Sequence, residues 1–117
     1  SFSNPQGATM MGVNGQQAAH TLAALGVDIL GANCGDQVGL REALRQMAEV
    51  TDRPLMAQPN AGQPELLEGR TAYRQSAEDF GRYAQELLEL GVRIIGGCCG
   101  TRTAHIQQLA RLARAGA

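Results

Sequence analysis

Leu25-Gly26-Val27-Asp28-Ile29-Leu30-Gly31-Ala32-Asn33-Cys34-Gly35 returns 65 positions later as Leu90-Gly91-Val92-Arg93-Ile94-Ile95-Gly96-Gly97-Cys98-Cys99-Gly100, identical at seven of eleven positions. Both copies read alike: a glycine ends a helix, a short apolar run follows, and cysteine beside glycine closes it. Neither run alternates strictly, the pattern of a strand buried on both faces. A third run, Pro54 to Gln58, lies between them.

Helical spacing fills the intervals. Leu40, Ala43, Leu44, Met47 and Ala48 follow i, i+3, i+4, i+7, i+8, as do Phe80, Tyr83, Ala84, Leu87 and Leu88. Ala18, Leu22 and Leu25 predict a helix from about Gln16 to Leu25, and Ile106, Leu109, Ala110 and Ala113 predict a last one from about Ala104 to Arg114. Ser76 with Asp79 reads as a variant capping box, Thr103 as the cap of the final helix, and Gly26 and Gly91 as left-handed stops. Strands over Val27–Ala32, Pro54–Gln58 and Val92–Gly97, spaced by helices, predict an α/β fold with a parallel sheet and right-handed crossovers. Ser1–Ser3 is expected to be the stub of an earlier strand.

Composition narrows the function. The 117 residues, 44% hydrophobic and 18% charged, permit one modest globular unit. The ten basic residues, all Arg, face eleven acidic ones for a net charge of −1, so no cationic surface awaits nucleic acid or an anionic membrane. No apolar run nears the ~20 residues of a membrane span, and Ser1 to Gly7 lack a basic-then-apolar signal pattern, so a cytoplasmic location is expected. Three cysteines, two of them adjacent, disfavour a disulfide scaffold and leave reduced thiols or a metal site as the alternatives.

Position weighs between these. In parallel α/β folds the chemistry gathers at the C-terminal ends of the strands, where Cys34, Cys98 and Cys99 all fall. Strands next but one in a flat sheet sit ~10 Å apart, so curvature and inward-leaning loops are needed to bring Cys34 to Cys99. Three thiolates at one rim match a zinc site with one coordination place open. His20 is expected in mid-helix, away from the rim. His105, early in the last helix, is expected to bond to backbone or water instead of metal. An open centre of this kind suits a substrate that is itself a thiol, because the metal favours the thiolate at neutral pH. Hydrolysis would gain more from neutral His ligands, so alkyl transfer to sulfur is the preferred chemistry. Gly31, Gly35, Gly96, Gly97 and Gly100 give the backbone room to turn beside the cluster. The connection from about Pro59 to Gln75 is long for a βα loop and is expected to be functional. Asn33 and Asn60 are candidates at the rim, to fix the ligand loops or to touch substrate. Asp36 reads as a solvated loop acid.

These motifs resemble the zinc-dependent homocysteine S-methyltransferases. Gly31-Ala32-Asn33-Cys34-Gly35 is similar to the family's first ligand motif, after its sixth barrel strand. Gly96-Gly97-Cys98-Cys99-Gly100 is similar to the paired-ligand motif after the eighth, and Gln58-Pro59-Asn60-Ala61-Gly62 to the turn after the seventh. The resemblance implies that Cys34, Cys98 and Cys99 ligate Zn²⁺ and that the metal binds the homocysteine thiolate for attack on an activated methyl group, giving methionine. It also implies that residues 1–117 are the C-terminal half of a (β/α)₈ TIM barrel, roughly strands five to eight. Such a half leaves strand edges and an interior face bare and needs an N-terminal half-barrel in cis or in trans. The chain is therefore expected to be an incomplete catalytic unit by itself. The family's methyl donors include S-methylmethionine, S-adenosylmethionine, betaine and a methylated corrinoid, and no residue here selects among them. One departure is Thr101-Arg102-Thr103-Ala104, which lacks the proline that commonly leads the family's last helix. The competing reading is a non-catalytic zinc-binding or thiol-redox fragment. A dithiol oxidoreductase is disfavoured because Cys98 and Cys99 lack the usual two-residue spacer.

Overall fold

Asn14 opens the first helix of the computed structural model, which describes residues 1–116. Its side chain accepts from the Gln17 N–H while the Gln17 side chain accepts from the Asn14 N–H, so two otherwise unpaired donors are satisfied together. This helix, α1 (Gly15–Ala24), ends at Leu25, and Gly26 follows in the left-handed region at φ 83°. The Arg53 guanidinium closes the end by donating to the Val27 and Ala23 carbonyls. Val27 is thus engaged in ending the helix, and β1 runs over Leu30–Asn33, three residues later than the sequence suggested.

Asp36 caps α2 (Gln37–Val50) by accepting from the Gly39 N–H at 2.8 Å. β2 (Leu55–Gln58) follows. The long connection after it is no plain loop: β3 (Pro64–Leu67) and β4 (Arg70–Tyr73) pair as an antiparallel hairpin about Glu68 and Gly69. Ser76 then caps α3 (Ala77–Leu90), accepting from Asp79 N at 3.1 Å as anticipated, and Gly91 stops it at φ 113°. β5 (Val92–Ile95) leads to α4 (Thr103–Ala115). Thr103 is not the cap of α4. The helix begins one residue earlier than expected, and the ring of His105 accepts from the Arg102 N–H at 3.1 Å.

The three central strands form a parallel sheet in the order β1-β2-β5. Leu30 pairs with Leu55 and Asn33 with Gln58, so β1 and β2 end level. A register irregularity lets Leu55 oppose Val92 while Met56 opposes Ile94. Leu30, Leu55, Ala57 and Val92 pack on Leu40, Leu44, Met47 and Leu87 of α2 and α3, each buried aliphatic side chain contributing roughly 1.5–3 kcal/mol. Phe80, Ala84 and Leu109 tie α3 to α4 in a second cluster. Gly31, Met56 and Ile94, alternate along the strands and paired across them, belong to neither cluster. Ser1–Ser3 forms no strand. Phe2 is drawn into the core, and its carbonyl lies where a side chain on Gly39 of α2 would be.

Candidate metal centre

The connection after β2 supports both cysteine loops. Cys34 N donates to Gln58 O (3.1 Å) and Cys98 N to Pro59 O (2.9 Å), while Ala61 N donates to Cys99 O (2.9 Å). The loops after β1 and β5 thus continue the sheet ladder beyond its named strands, on either side of the middle chain. Asn60, 3% exposed, completes the tie with its side chain: Oδ1 accepts from Cys99 N at 3.0 Å, and Nδ2 donates to Gly35 O at 3.3 Å.

This bracing brings the three sulfurs together. Cys34 Sγ lies 4.0 Å from Cys99 Sγ, Cys99 Sγ lies 3.9 Å from Cys98 Sγ, and all three fall within 4.8 Å of one another. Tetrahedral zinc with bonds of ~2.3 Å has sulfur–sulfur edges of about 3.8 Å. The donor set therefore fits such an ion with little adjustment, and the spacing is far beyond the ~2.05 Å of a disulfide. The distance expected for strands next but one has been closed by the loops.

Backbone geometry differs among the three cysteines. Cys34 occupies the left-handed region at φ 61°, which side-chain-bearing residues seldom adopt, and Gly35 follows at φ 68°. The Gly35 backbone N–H, against the opposing effect of burial and with help from Asn60 and the other sulfurs, holds the Cys34 thiol below its ordinary range. Cys99 is moved the other way, first because its thiol hydrogen-bonds to the Cys98 and Cys34 sulfurs and then because negative charge on them opposes its own. The cluster therefore releases its protons unequally, with Cys34 leading Cys99.

The other anticipated residues are placed as follows. Asn33 is exposed at the end of β1, with Nδ2 3.8 Å from Cys98 Sγ. Asp36 is the cap of α2 and also accepts from the Gln63 side chain. His20 is exposed in mid-α1. His105 is buried with both ring nitrogens engaged by backbone, Nδ1 by Arg102 N and Nε2 by Gln75 O at 2.8 Å, and its ring meets Phe80 edge-on. So occupied, His105 is not free to join the three sulfurs. Among the described residues they are the one group of three or more Cys, His, Asp or Glu spaced to hold a metal ion.

Four further residues were not anticipated at the site from the sequence. Gln37 Nε2 donates to Asn60 O and to Gln75 Oε1, and Gln75 Nε2 donates back to Gln37 Oε1. The Tyr83 hydroxyl donates to Gln37 O, and burial pushes that hydroxyl's pKa up. Tyr73 leaves the hairpin beside Gly100, its hydroxyl held above the usual range by desolvation and then by the Cys99 sulfur. A lone glutamine or tyrosine has no spacing signature for such a role, so only the place of Gln75 at the end of a long βα connection could have pointed to this group.

Comparison with known proteins adds a second line of evidence. The family model of homocysteine S-methyltransferase matches residues 1–113. Methionine synthase of Mycobacterium tuberculosis is 32% identical over 106 residues, covering 89% of this chain and 9% of that protein. The homocysteine S-methyltransferase YbgG of Bacillus subtilis is 34% identical over 86 residues, 73% of this chain and 27% of its own length. Betaine–homocysteine S-methyltransferase 1 of Mus musculus is 35% identical over 127 aligned positions, 91% of this chain and 30% of its own. The chain thus spans less than a third of the length of each of these three relatives. Among the described residues no helix is long and apolar enough to cross a membrane.

Proposed function

This chain belongs to the homocysteine S-methyltransferase family, and we propose that it supplies the zinc-binding half of a cytoplasmic enzyme that methylates the thiol of homocysteine to give methionine. One observation carries the reading: three sulfurs from two distant loops converge within 4.8 Å, with no fourth Cys, His, Asp or Glu in the group among the described residues.

Cys34, Cys98 and Cys99 hold the ion. When bound, zinc supplies an acidic position at which an external thiol is nucleophilic at neutral pH. In the net reaction the acceptor sulfur gains a bond to the methyl carbon. The carbon's bond to the donor breaks with its electron pair, and the thiol proton goes to solvent. The chain's own residues prepare for this by position. Asn60 fixes the spacing of the two ligand loops, and Asn33, exposed beside Cys98, is assigned to meet the substrate. The donors around the sulfurs are neutral amides and backbone N–H groups, which leave the cluster electron-rich.

The fold supports the partner reading. Helices α1 to α3 pack on one set of strand residues, while the alternate row Gly31, Met56 and Ile94 lies outside the core. We assign residues 1–117 to the second half of a (β/α)₈ barrel, with the bare row facing the barrel interior and the first half joined in cis or in trans.

The test is zinc content after purification, then methionine formation from homocysteine and each class of methyl donor, with and without a candidate N-terminal half. About one zinc per chain, with turnover when the halves are combined, is the expected result. Zinc without turnover in either setting would replace the enzymatic reading with a non-catalytic metal-binding one.

A further inference from the structure

Each cysteine loop is a short span between a strand end and a helix start. The strand ends are fixed by β2 and the connection after it, and the helix starts meet at one residue, Gln75, just before the Ser76 cap of α3. From one side comes Gln37, the first residue of α2 and three positions after Cys34. Its Nε2 donates to Gln75 Oε1 at 2.7 Å, and Gln75 Nε2 donates back to Gln37 Oε1 at 3.1 Å. From the other comes His105, in the first turn of α4 and six positions after Cys99. With its Nδ1 accepting from the Arg102 N–H, Nε2 is the protonated nitrogen and donates to Gln75 O at 2.8 Å. Gln75 is itself held on the middle connection: its N–H donates to Ala61 O, and a Cβ on Gly62 would stand 3.0 Å from the Gln75 Cβ.

We propose that Gln75, with Gln37 as its partner, is a positioning residue of the thiol cluster: the paired amides clasp the start of α2 to the point that also receives α4, and so set the distance between Cys34 and the two adjacent cysteines. The pair is exacting because every group in it is used. Gln37 Nε2 directs one hydrogen to Gln75 and the other to Asn60 O at 2.8 Å, so the clasp is joined to the residue that ties the two loops together. Behind it, the Tyr83 hydroxyl of α3 donates to Gln37 O. Loops held at both ends lose less freedom when their thiols take an ion, so the clasp contributes to metal affinity as well as to stability. Replacing the Gln75 side chain leaves its backbone bonds to Ala61 and His105 in place and opens the α2 side alone.

The inference rests on the metal-holding reading, and the experiment separates the two. Gln37→Met, Gln75→Met and the double variant keep side-chain length while removing the amide pair, and Gln75→Glu keeps the acceptor for Gln37 Nε2. Zinc affinity is read by competition with a chromophoric chelator, and stability by urea unfolding. Each Met variant is expected to bind zinc about 10-fold more weakly than the unaltered chain. The double variant is expected to bind no more weakly than Gln37→Met, because the same clasp is lost in both, and Gln75→Glu to fall between the unaltered chain and Gln75→Met. Affinity unchanged in the Met variants with only the urea midpoint lowered, or losses that multiply in the double variant, would overturn the proposal while leaving the metal site standing. Should the unaltered chain take up no zinc, the metal reading fails and the spacing of the thiols is read directly. In a Cys98→Ala background the thiol cross-linker dibromobimane can bridge only Cys34 and Cys99, and bridging is expected to slow several-fold on adding Gln75→Met. An unchanged rate would overturn the role of Gln75 as well. If the Met variants do not fold, Gln75→Glu decides by the same readings, values equal to those of the unaltered chain overturning the proposal.

Discussion

The two cysteine loops begin as near copies in sequence and end as different devices. After β1, one thiol is carried on a left-handed residue, and the chain enters α2 through the carboxylate cap of Asp36. After β5, two thiols sit outside the left-handed region, Gly100 takes the turn, and the chain enters α4 through the ring of His105. Both are registered on Gln58 to Ala61, the one stretch that touches each by backbone hydrogen bonds. A repeated motif therefore does not make a symmetric site. The middle connection places the copies, and each copy brings its thiols to the cluster by its own backbone.

The widest break in this comparison is to remove a thiol from either loop. Cys34→Ala and Cys98→Ala should each lower zinc affinity by more than the about 10–100-fold typical of losing a supporting partner, read by competition with a chromophoric chelator. Equal zinc retention in one of them would mean that its loop is not a ligand loop. Next is Asn60→Ala, which leaves the Cys99 N–H and the Gly35 carbonyl without their partner. Each of these two part-buried hydrogen bonds is worth about 0.5–1.5 kcal/mol, so urea unfolding should show a loss of roughly 1–3 kcal/mol, with weakened zinc binding besides. A variant that lost stability but kept full affinity would show that the loops find their spacing without Asn60.

Much of this arrangement is written in local pattern. The strand runs, the i, i+3, i+4 faces of α2 and α3, and the recurrence of cysteine at matching strand ends follow from periods of 2 and 3.6 and from glycine stops. The hairpin does not, for two physical reasons. Pro64–Leu67 is exposed along its whole length, so no alternation marks it as a strand. Its turn is Glu68-Gly69, with both residues at positive φ (50° and 75°), where Asn or Asp before Gly is the recognisable pair. With the hairpin unread, Tyr73 and Gln75 could not be assigned to the site. Asn60 was legible as a rim amide, while its reach to both loops at once depends on a tertiary approach that no spacing encodes.

Strain gives a finer test of the difference between the loops. A side-chain-bearing residue in the left-handed region costs about 1–2 kcal/mol that glycine avoids. In metal-free protein, Cys34→Gly should be more stable than Cys34→Ala by about 1 kcal/mol. At Cys99, which lies outside that region, the order should reverse, glycine losing roughly 0.5–1 kcal/mol to alanine through its freer unfolded chain. The same order at both positions, read from urea midpoints at constant slope, would mean that Cys34 carries no strain for a bound metal to offset.

The helix starts differ least in energy but separate the two loops most simply. Asp36 accepts from Gly39 N, so Asp36→Ala should cost about 1 kcal/mol, and Asp36→Asn, which keeps an acceptor oxygen, much less. Thr103 occupies the position the sequence suggests as a cap, yet it is already the first residue of α4, and the reach-back bond comes from His105 Nδ1. Thr103→Ala should therefore stay within about 0.5 kcal/mol of the unaltered chain. His105→Gln would need its one amide oxygen to replace the ring's acceptor while its amide nitrogen replaces the donor to Gln75. A loss at Thr103 as large as that at Asp36 would show that both helices are capped by hydroxyl or carboxylate side chains after all, and the contrast between the two loops would shrink to the cysteines themselves.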